Sequence, residues 1–170
     1  MPIIRPINEI SPKIHPDVFI AENATIIGDV EIDSQSSIWY GTVLRGDVGK
    51  IKIGKRTSIQ DLVMVHCTWH HSGTSIGDEV TVGHSAILHG CTIHDRVLVG
   101  MGVIVLDKAV IHSDVVIGAG SVVLENSVFE TGFLYAGTPA KKIKPLTEIQ
   151  LKGLKLSANH YVLYQDWYRK

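Results

Sequence analysis

The chain has 170 residues, a formal net charge of −1 and 45% hydrophobic residues. This length suits one domain with its own core, and the apolar content excludes a disordered chain. The near-neutral charge gives no support for a nucleic-acid partner, and no uninterrupted apolar stretch is long enough to cross a bilayer, so we expect neither nucleic acid nor a membrane as a partner. Because no signal peptide opens the chain, we expect Cys67 and Cys91 to be reduced thiols in a cytoplasmic protein.

Aliphatic residues recur about every six positions along most of the chain. The earlier series is Ile32, Ile38, Leu44, Ile53, Ile59 and Val65, and the later series is Ile76, Val82, Leu88, Ile93, Val99, Val105, Ile111, Ile117 and Val123. Short β-strands separated by Gly, Asp or Asn corners explain this spacing, whereas amphipathic helices with a 3.6-residue period do not. The sequence therefore predicts a repetitive β structure.

This period resembles that of the hexapeptide-repeat family over roughly residues 20–137. The resemblance implies an all-β fold, a single-stranded left-handed parallel β-helix in which each coil is a triangular prism of three six-residue sides with aliphatic side chains pointing inward. We place this prism at residues 1–140. After Pro145, an apolar series predicts a C-terminal α-helix within residues 141–170, which packs on the prism as part of one domain.

Two departures from an eighteen-residue coil locate insertions. Ile32 to Ile53 spans 21 residues, which places three extra residues within Arg45–Gly49, and Ile53 to Ile76 spans 23, which places five more around residues 70–74. Once these insertions are removed, Leu44, Val65, Leu88 and Val105 stack in one inward column. The next residue of each strand points outward, and these residues form a second column: Arg45, His66, His89 and Leu106. On the adjacent side the inward column is Ile38, Ile59, Val82 and Val99, followed outward by Trp39, Gln60, Gly83 and Gly100.

Three of the nine histidines form a pattern that suits a metal ion. His66 and His89 fall one coil apart in the same outward column, so their Cβ atoms should lie about 5 Å apart, within reach of one ion. Their apolar sequence neighbours indicate that another subunit covers this side. His84 lies on the adjacent side near a corner and cannot easily turn toward the pair of its own chain. We therefore expect the third ligand to be His84 of a neighbouring chain; chance placement of three outward histidines is the weaker explanation.

The motif order narrows the resemblance to one family. The segments Arg45-Gly-Asp47, Gln60-Asp61, Val65-His66, Gly83-His84 and Leu88-His89-Gly90 follow one another along the chain. This order is similar to that of the gamma-class carbonic anhydrases and their close bacterial relatives, including the phenylacetate-pathway hexapeptide proteins. The resemblance implies a homotrimer in which His66 and His89 of one subunit and His84 of the next bind Zn²⁺ at each interface, with Fe²⁺ or Co²⁺ as substitutes. It also implies reversible hydration of CO₂ to bicarbonate, with four further active-site residues: Arg45, Asp47, Gln60 and Asp61.

The ligand types account for this chemistry. Three neutral imidazoles leave the full +2 charge on zinc, which can bring a bound water to a pKa of about 7, so that hydroxide attacks CO₂ at neutral pH. We expect Gln60 to hydrogen-bond the hydroxide or a substrate oxygen. Arg45 and Asp47 are expected to fix the subunit junction and, with Asp61, to orient the surroundings of the ligands. A purely structural ion pair between Arg45 and Asp47 is at least as well supported.

This chain differs from the prototypical members of the family at two places that affect the expected rate of CO₂ hydration. Val48 stands where they carry a glutamate after the Arg-Gly-Asp triplet, and residues 70–74 replace a long acidic loop with a proton-shuttling glutamate. We therefore expect low turnover, with His70 or His71 as substitute proton carriers. Tyr161 or Tyr164 of the final helix could line the site, although packing on the prism is the stronger expectation.

Other functions are compatible with the same prism. Hexapeptide acyltransferases share the trimer and a terminus like Gly137–Lys141, but they need only one histidine, as a base. A CoA thioesterase that uses the same zinc-bound water and a non-catalytic metal-binding trimer are further alternatives. The arrangement of three histidines favours the metal-dependent anhydrase.

Overall fold

The computed structural model describes residues 1–69 and 73–169 and is mostly β. Its strands form a parallel β-solenoid of about seven turns followed by one C-terminal helix, which confirms the predicted left-handed β-helix with a C-terminal α-helix. Among the described residues, no helix combines the length and the apolar character needed to span a bilayer.

The solenoid has three faces because each coil contributes one strand to each side. The first face contains β1 (Ile3–Arg5), the first parts of β4 (Thr25–Ile32) and β6 (Val43–Ile53), β8 (Met64–His66), β11 (Ile87–His89), β14 (Ile104–Val105) and β17 (Val122–Val123). The second face contains β2 (Lys13–Ile14), the last parts of β4 and β6, β9 (Thr74–Ile76), β12 (Thr92–Ile93), β15 (Val110–Ile111) and β18 (Val128–Phe129). The third face contains β3 (Phe19–Ile20), β5 (Ser37–Ile38), β7 (Ser58–Ile59), β10 (Thr81–Val82), β13 (Leu98–Val99), β16 (Val116–Ile117), β19 (Phe133–Gly137) and β20 (Ala140–Pro145).

The core is a stack of aliphatic side chains inside the prism. The register on the first face aligns the inward column predicted from the sequence, Leu44, Val65, Leu88 and Val105. On the third face it aligns the second predicted column, Ile38, Ile59, Val82 and Val99. All eight side chains are fully buried. Burial of a side chain of this size stabilises the fold by about 1.5–3 kcal/mol, so these columns hold the coils together.

The first insertion lies at the corner between the first and second faces. Gly28 of β4 pairs with Gly46 of β6, but Val30 pairs with Ile51, so β6 takes five residue steps where β4 takes two. The three extra residues therefore lie between Gly46 and Ile51 and overlap the segment predicted from the coil length. This insertion brings Asp47 to the corner where the first face ends.

The chain leaves the prism through an antiparallel hairpin and a helix. β19 pairs with β20 in an antiparallel arrangement, and α1 (Glu148–Tyr164) follows. The Thr147 side chain accepts from the Gln150 backbone N–H, and the Gln150 side chain accepts from the Thr147 backbone N–H. This capping box satisfies two N–H groups that would otherwise lack partners at the start of the helix. A 3₁₀ turn (Gln165–Tyr168) ends the described chain.

Aromatic side chains pack α1 onto the third face. The Trp39 ring lies 5.9 Å from the ring of Tyr161 and 5.3 Å from that of Tyr168, measured between centroids. Its indole N–H donates to the hydroxyl oxygens of Ser37 and Ser58 on the strands beneath. Tyr161 and Tyr168 thus pack on the prism through one buried tryptophan.

Candidate metal centre

Two imidazole rings meet at the end of the first face. His66 ends β8 and His89 ends β11, and the two are register partners in adjacent parallel strands. Nδ1 of His66 lies 3.3 Å from Nε2 of His89. Their side chains are 16% and 29% exposed, respectively. The sequence-based prediction that these two residues share one outward column agrees with this register.

The separation of the two nitrogens fits one tetrahedral ion. Imidazole nitrogens bind zinc at about 2.0–2.1 Å, so two of them on a tetrahedral ion lie about 3.3–3.4 Å apart. The observed distance between the two nitrogens, 3.3 Å, lies in this range. The His66–His89 pair can therefore supply two ligands of a zinc site.

Each ring of the pair also faces a carboxylate. Nε2 of His66 lies 3.0 Å from Oδ1 of Asp47, and Nδ1 of His89 lies 3.0 Å from Oδ1 of Asp107. A carboxylate that accepts the N–H of one ring nitrogen fixes the tautomer and leaves the other nitrogen available to an ion. The nitrogens left available are the two that face each other, so both carboxylates support the same ligand geometry.

Asp47 joins the histidine pair to Arg45. Nη1 of Arg45 lies 2.5 Å from Oδ2 of Asp47, while Oδ1 of Asp47 faces His66. Partial burial raises the pKa of the Asp47 carboxyl, but its hydrogen bonds with Arg45 and His66 together outweigh burial and hold that pKa below its ordinary value. Asp47 is therefore ionised at neutral pH, and its Oδ1 can accept the His66 N–H.

A second group of polar side chains lies at the other edge of the first face. Nδ1 of His84 lies 2.8 Å from Oδ2 of Asp61, and the side chain of His84 is 47% exposed. Gln60, beside Asp61, is only 5% exposed. Burial raises the pKa of the Tyr161 hydroxyl, and the charge of Asp61 raises it further, whereas a hydrogen bond with Gln60 lowers it. We call Gln60, Asp61 and His84 the His84 corner.

The two groups occupy opposite edges of one face. Asp61 precedes β8 and His66 ends it, just as His84 precedes β11 and His89 ends it. Within residues 1–69 and 73–169 of one chain, no three His, Cys, Asp or Glu side chains come together so as to hold an ion. For His84 to share one ion with His66 and His89, the His66–His89 edge of one chain would have to meet the His84 corner of another.

The outer surface between the two edges is apolar. The register aligns five outward side chains on successive coils: Val43, Met64, Ile87, Ile104 and Val122. Ile87 at their centre is 38% exposed, and Leu62 and Met101 at the adjoining corner are 65% and 58% exposed. A contiguous apolar surface of this kind is typical of a protein–protein interface.

A groove opens beside the His84 corner, between the third face and α1. It has a volume of about 350 Å³, and its walls include Leu98, Met101 and Tyr161 next to His84. Ser157 of the helix closes one side and lies 3.0 Å from Thr81 of β10 through their hydroxyl oxygens. Tyr161 therefore both packs on Trp39 and lines this groove.

The remaining predicted residues fall into two sets. Tyr164 packs in the aromatic cluster, with its ring 5.5 Å from that of Tyr161, whereas His70 and His71 lie outside the described residues. Sequence reasoning missed Asp107, which contacts His89, and Thr68, whose hydroxyl donates to Asp107. Asp107 directly follows Leu106 in the outward column, so an acidic residue one position past that column was the available signal.

The fold defines the class of this protein, and comparisons with known proteins define its family. It is a hexapeptide-repeat β-helix protein, and the family model described as bacterial transferase hexapeptide (six repeats) matches residues 90–125. The chain is 47% identical to Protein YrdA of Escherichia coli over 98% of its own length and 94% of the relative's. It is 42% identical to a carbonic anhydrase of Geobacillus kaustophilus over 98% of its own length and 91% of that protein's.

A solved structure has the same fold throughout. The hexapeptide transferase family protein of Anaplasma phagocytophilum superposes with a TM-score of 0.94 at 44% identity, covering 98% of both chains. At this level of similarity over nearly the whole chain, the protein belongs to the gamma-class carbonic anhydrase family of hexapeptide-repeat proteins.

Proposed function

We propose that this protein reversibly hydrates CO₂ to bicarbonate with a Zn²⁺ ion held at each junction of a homotrimer. The ligands are His66 and His89 of one subunit and His84 of the next, with Fe²⁺ or Co²⁺ as functional substitutes. One observation carries the proposal: the two-histidine edge and the one-histidine corner lie on opposite sides of a single apolar face. A cyclic trimer brings one edge of each chain against the opposite edge of the next.

The chain's own residues supply the surroundings that this reaction needs. Zinc in such a site lowers the pKa of a bound water to about 7 and so makes hydroxide available at neutral pH. Asp47 orients His66, and Asp61 orients His84. The Gln60 amide, held in a buried position at the His84 corner, can donate an N–H to an oxygen of CO₂ or bicarbonate and can accept from the bicarbonate hydroxyl.

Metal removal and restoration test the proposal directly. We expect the purified trimer to carry about one zinc per subunit and to hydrate CO₂ in a stopped-flow pH-indicator assay, to lose this activity with a chelator, and to regain it with added zinc.

His89→Ala should lower both zinc content and activity at least about tenfold, because it removes a ligand. His112→Ala, an exposed histidine on the second face, is the matched control and should match the wild type. A zinc-loaded trimer without CO₂ hydration would contradict the anhydrase function.

A second candidate function rests on the groove beside His84. A histidine oriented by a carboxylate, as His84 is by Asp61, is the arrangement of a general base, and the groove beside it has apolar walls suited to an acyl chain. Acyl transfer from an acyl-CoA by this route needs one histidine and no metal. The transferase would pass the acetyl group from acetyl-CoA to an amine or hydroxyl acceptor and release the CoA thiol. Thiol release that requires such an acceptor, persists with a chelator and is abolished by His84→Ala but not by His89→Ala would favour the transferase over the anhydrase.

A further inference from the structure

Asp107 stands out because its carboxylate connects three coils of the prism. Oδ1 lies 3.0 Å from Nδ1 of His89, and Oδ2 accepts a hydrogen bond of 2.8 Å from the Thr68 hydroxyl. The side chain of Asp107 is only 18% exposed, less than that of Asp47, which is 25% exposed. Both oxygens of a largely covered carboxylate are thus directed by contacts with named groups.

We propose that Asp107, held by Thr68, is a positioning residue of the metal centre: it keeps His89 in the tautomer and ring orientation that aim Nε2 at the ion. The inference rests on the proposed function, since it assigns a role toward the zinc ion of that site. Asp107 does not touch the ion or the substrate, so its effect passes through His89.

The physical argument starts from the two nitrogens of a neutral imidazole. One carries a proton and the other is free to bind an ion, and an acceptor placed at one nitrogen decides which is which. With Oδ1 of Asp107 at Nδ1, the proton stays there and the lone pair of Nε2 faces His66. Without this acceptor, the ring of His89 can rotate and both tautomers are populated. Zinc binding must then select one ring orientation and one tautomer, which lowers the affinity. Loss of such a partner typically weakens metal affinity about 10- to 100-fold.

Gly90 provides the space that this contact requires. It follows His89 directly and adopts a left-handed conformation with φ of +57°. A Cβ atom at this position would overlap Oδ1 of Asp107. The Asp107 carboxylate therefore passes over a residue without a side chain to reach His89.

Zinc affinity is the decisive measurement. We expect Asp107→Ala to weaken zinc binding about 10- to 100-fold in competition with a chromogenic chelator. Asp107→Asn, which keeps an acceptor oxygen in the same place, should recover part of this loss. Asp114→Asn is the matched control because that carboxylate is similarly covered but pairs with Arg96 at another corner, with contacts of 2.7 and 2.9 Å, and it should bind zinc as the wild type does.

A second readout reports the geometry of the site and not only its affinity. The visible spectrum of the Co²⁺-loaded protein is sensitive to ligand geometry and should change in the Asp107 variants but not in Asp114→Asn. If Asp107→Ala does not fold, Thr68→Val is the substitute variant, because it removes the hydroxyl that donates to Asp107 and keeps the volume of the side chain. We expect Thr68→Val to weaken zinc binding by a few-fold. The mass of the assembly and the far-ultraviolet circular dichroism identify the folded variants.

The outcomes separate this inference from the proposed function. A folded Asp107→Ala variant with wild-type zinc affinity and an unchanged Co²⁺ spectrum would overturn the positioning role and leave the anhydrase proposal intact. An equal loss in Asp114→Asn would also overturn it, because the effect would then be general destabilisation. A wild-type protein that binds no zinc would overturn both.

Discussion

At the scale of single residues, the proposed metal centre contains two imidazoles, and the two nitrogens of each ring have different partners. His66 and His89 each direct one nitrogen toward the other and give the second to an aspartate. This division matters because only a neutral, correctly oriented imidazole binds zinc. The carboxylates therefore shape the site before any ion arrives.

Two glycine substitutions test whether the Asp107 carboxylate needs the space beside Gly90 to reach His89. Gly90→Ala and Gly102→Ala each place a side chain on a left-handed backbone, which costs about 1–2 kcal/mol. A Cβ on Gly102 meets nothing within 4 Å, whereas a Cβ on Gly90 overlaps Asp107. We expect the left-handed backbone conformation to lower the free energy of unfolding by a similar amount in both variants. Only Gly90→Ala should lose further stability and bind zinc at least about tenfold more weakly.

Denaturant unfolding and chelator competition measure the two effects separately. Unfolding of the metal-free variants gives the stability, and competition gives the zinc affinity. Wild-type zinc affinity in a folded Gly90→Ala protein would show that the close approach of Asp107 has no bearing on the site.

At the scale of elements, the prism and the helix are held by different interactions. The strands of the prism share long columns of buried aliphatic side chains, whereas α1 buries only Leu154 and Ala158 and relies on the aromatic contacts around Trp39. An element with few buried contacts opens at lower free energy than the core it packs on. We therefore expect the docking of α1 to be more sensitive to a single substitution than the packing of the buried columns.

Two tryptophans allow a matched test of this difference. Trp39→Ala removes a side chain that is 6% exposed and should destabilise the docking of α1 by about 3 kcal/mol, whereas Trp167→Ala removes one that is 62% exposed and should change stability by about 0.5 kcal/mol or less. Hydrogen exchange should show faster exchange of the α1 amides in Trp39→Ala, with the prism amides unchanged. Faster exchange throughout the prism would contradict the independence of the two elements.

At the scale of the whole molecule, the arrangement of the two edges makes the proposed site a property of the assembly. The His66–His89 edge and the His84 corner are separated by the width of the first face, so in the proposed trimer each chain contributes to two different sites. Metal at three junctions then depends on correct association of the subunits, while the buried columns hold each prism without metal. We expect the metal-free protein to remain trimeric.

Mixed trimers test this sharing of ligands. His66→Ala and His84→Ala should each be inactive, because every junction in either homotrimer lacks a ligand. When equal amounts are unfolded and refolded together, a junction is intact only if a His84→Ala chain supplies the His66–His89 edge and a His66→Ala chain supplies the corner. Random association makes this pairing at about a quarter of junctions, so about a quarter of the wild-type activity should return.

The refolding protocol supplies its own control. Wild-type protein taken through the same steps should recover its activity, and each variant refolded alone should stay inactive. Inactive mixtures under conditions in which the wild type recovers would contradict a site shared between chains.

The sequence alone determined the period, the two inward columns and the register that aligns His66 with His89. This was possible because a coil of constant length converts spacing along the chain into position on a face, and insertions show as departures from that length. The opposite placement of His84 followed from the same geometry. The cytoplasmic location, the identity of the metal and proton transfer by His70 or His71 stay predictions.

Only the tertiary structure decided which side chains meet across corners. Thr68 and Asp107 lie 39 positions apart, and their contact depends on the space left by Gly90 and on the local path of the chain, which the period does not specify. The tertiary structure also decided that the Asp61 carboxylate meets the His84 ring and that Tyr161 of α1 reaches Gln60. A repeat predicts the direction in which a residue points, but the reach of a side chain beyond its own coil depends on the packing around it.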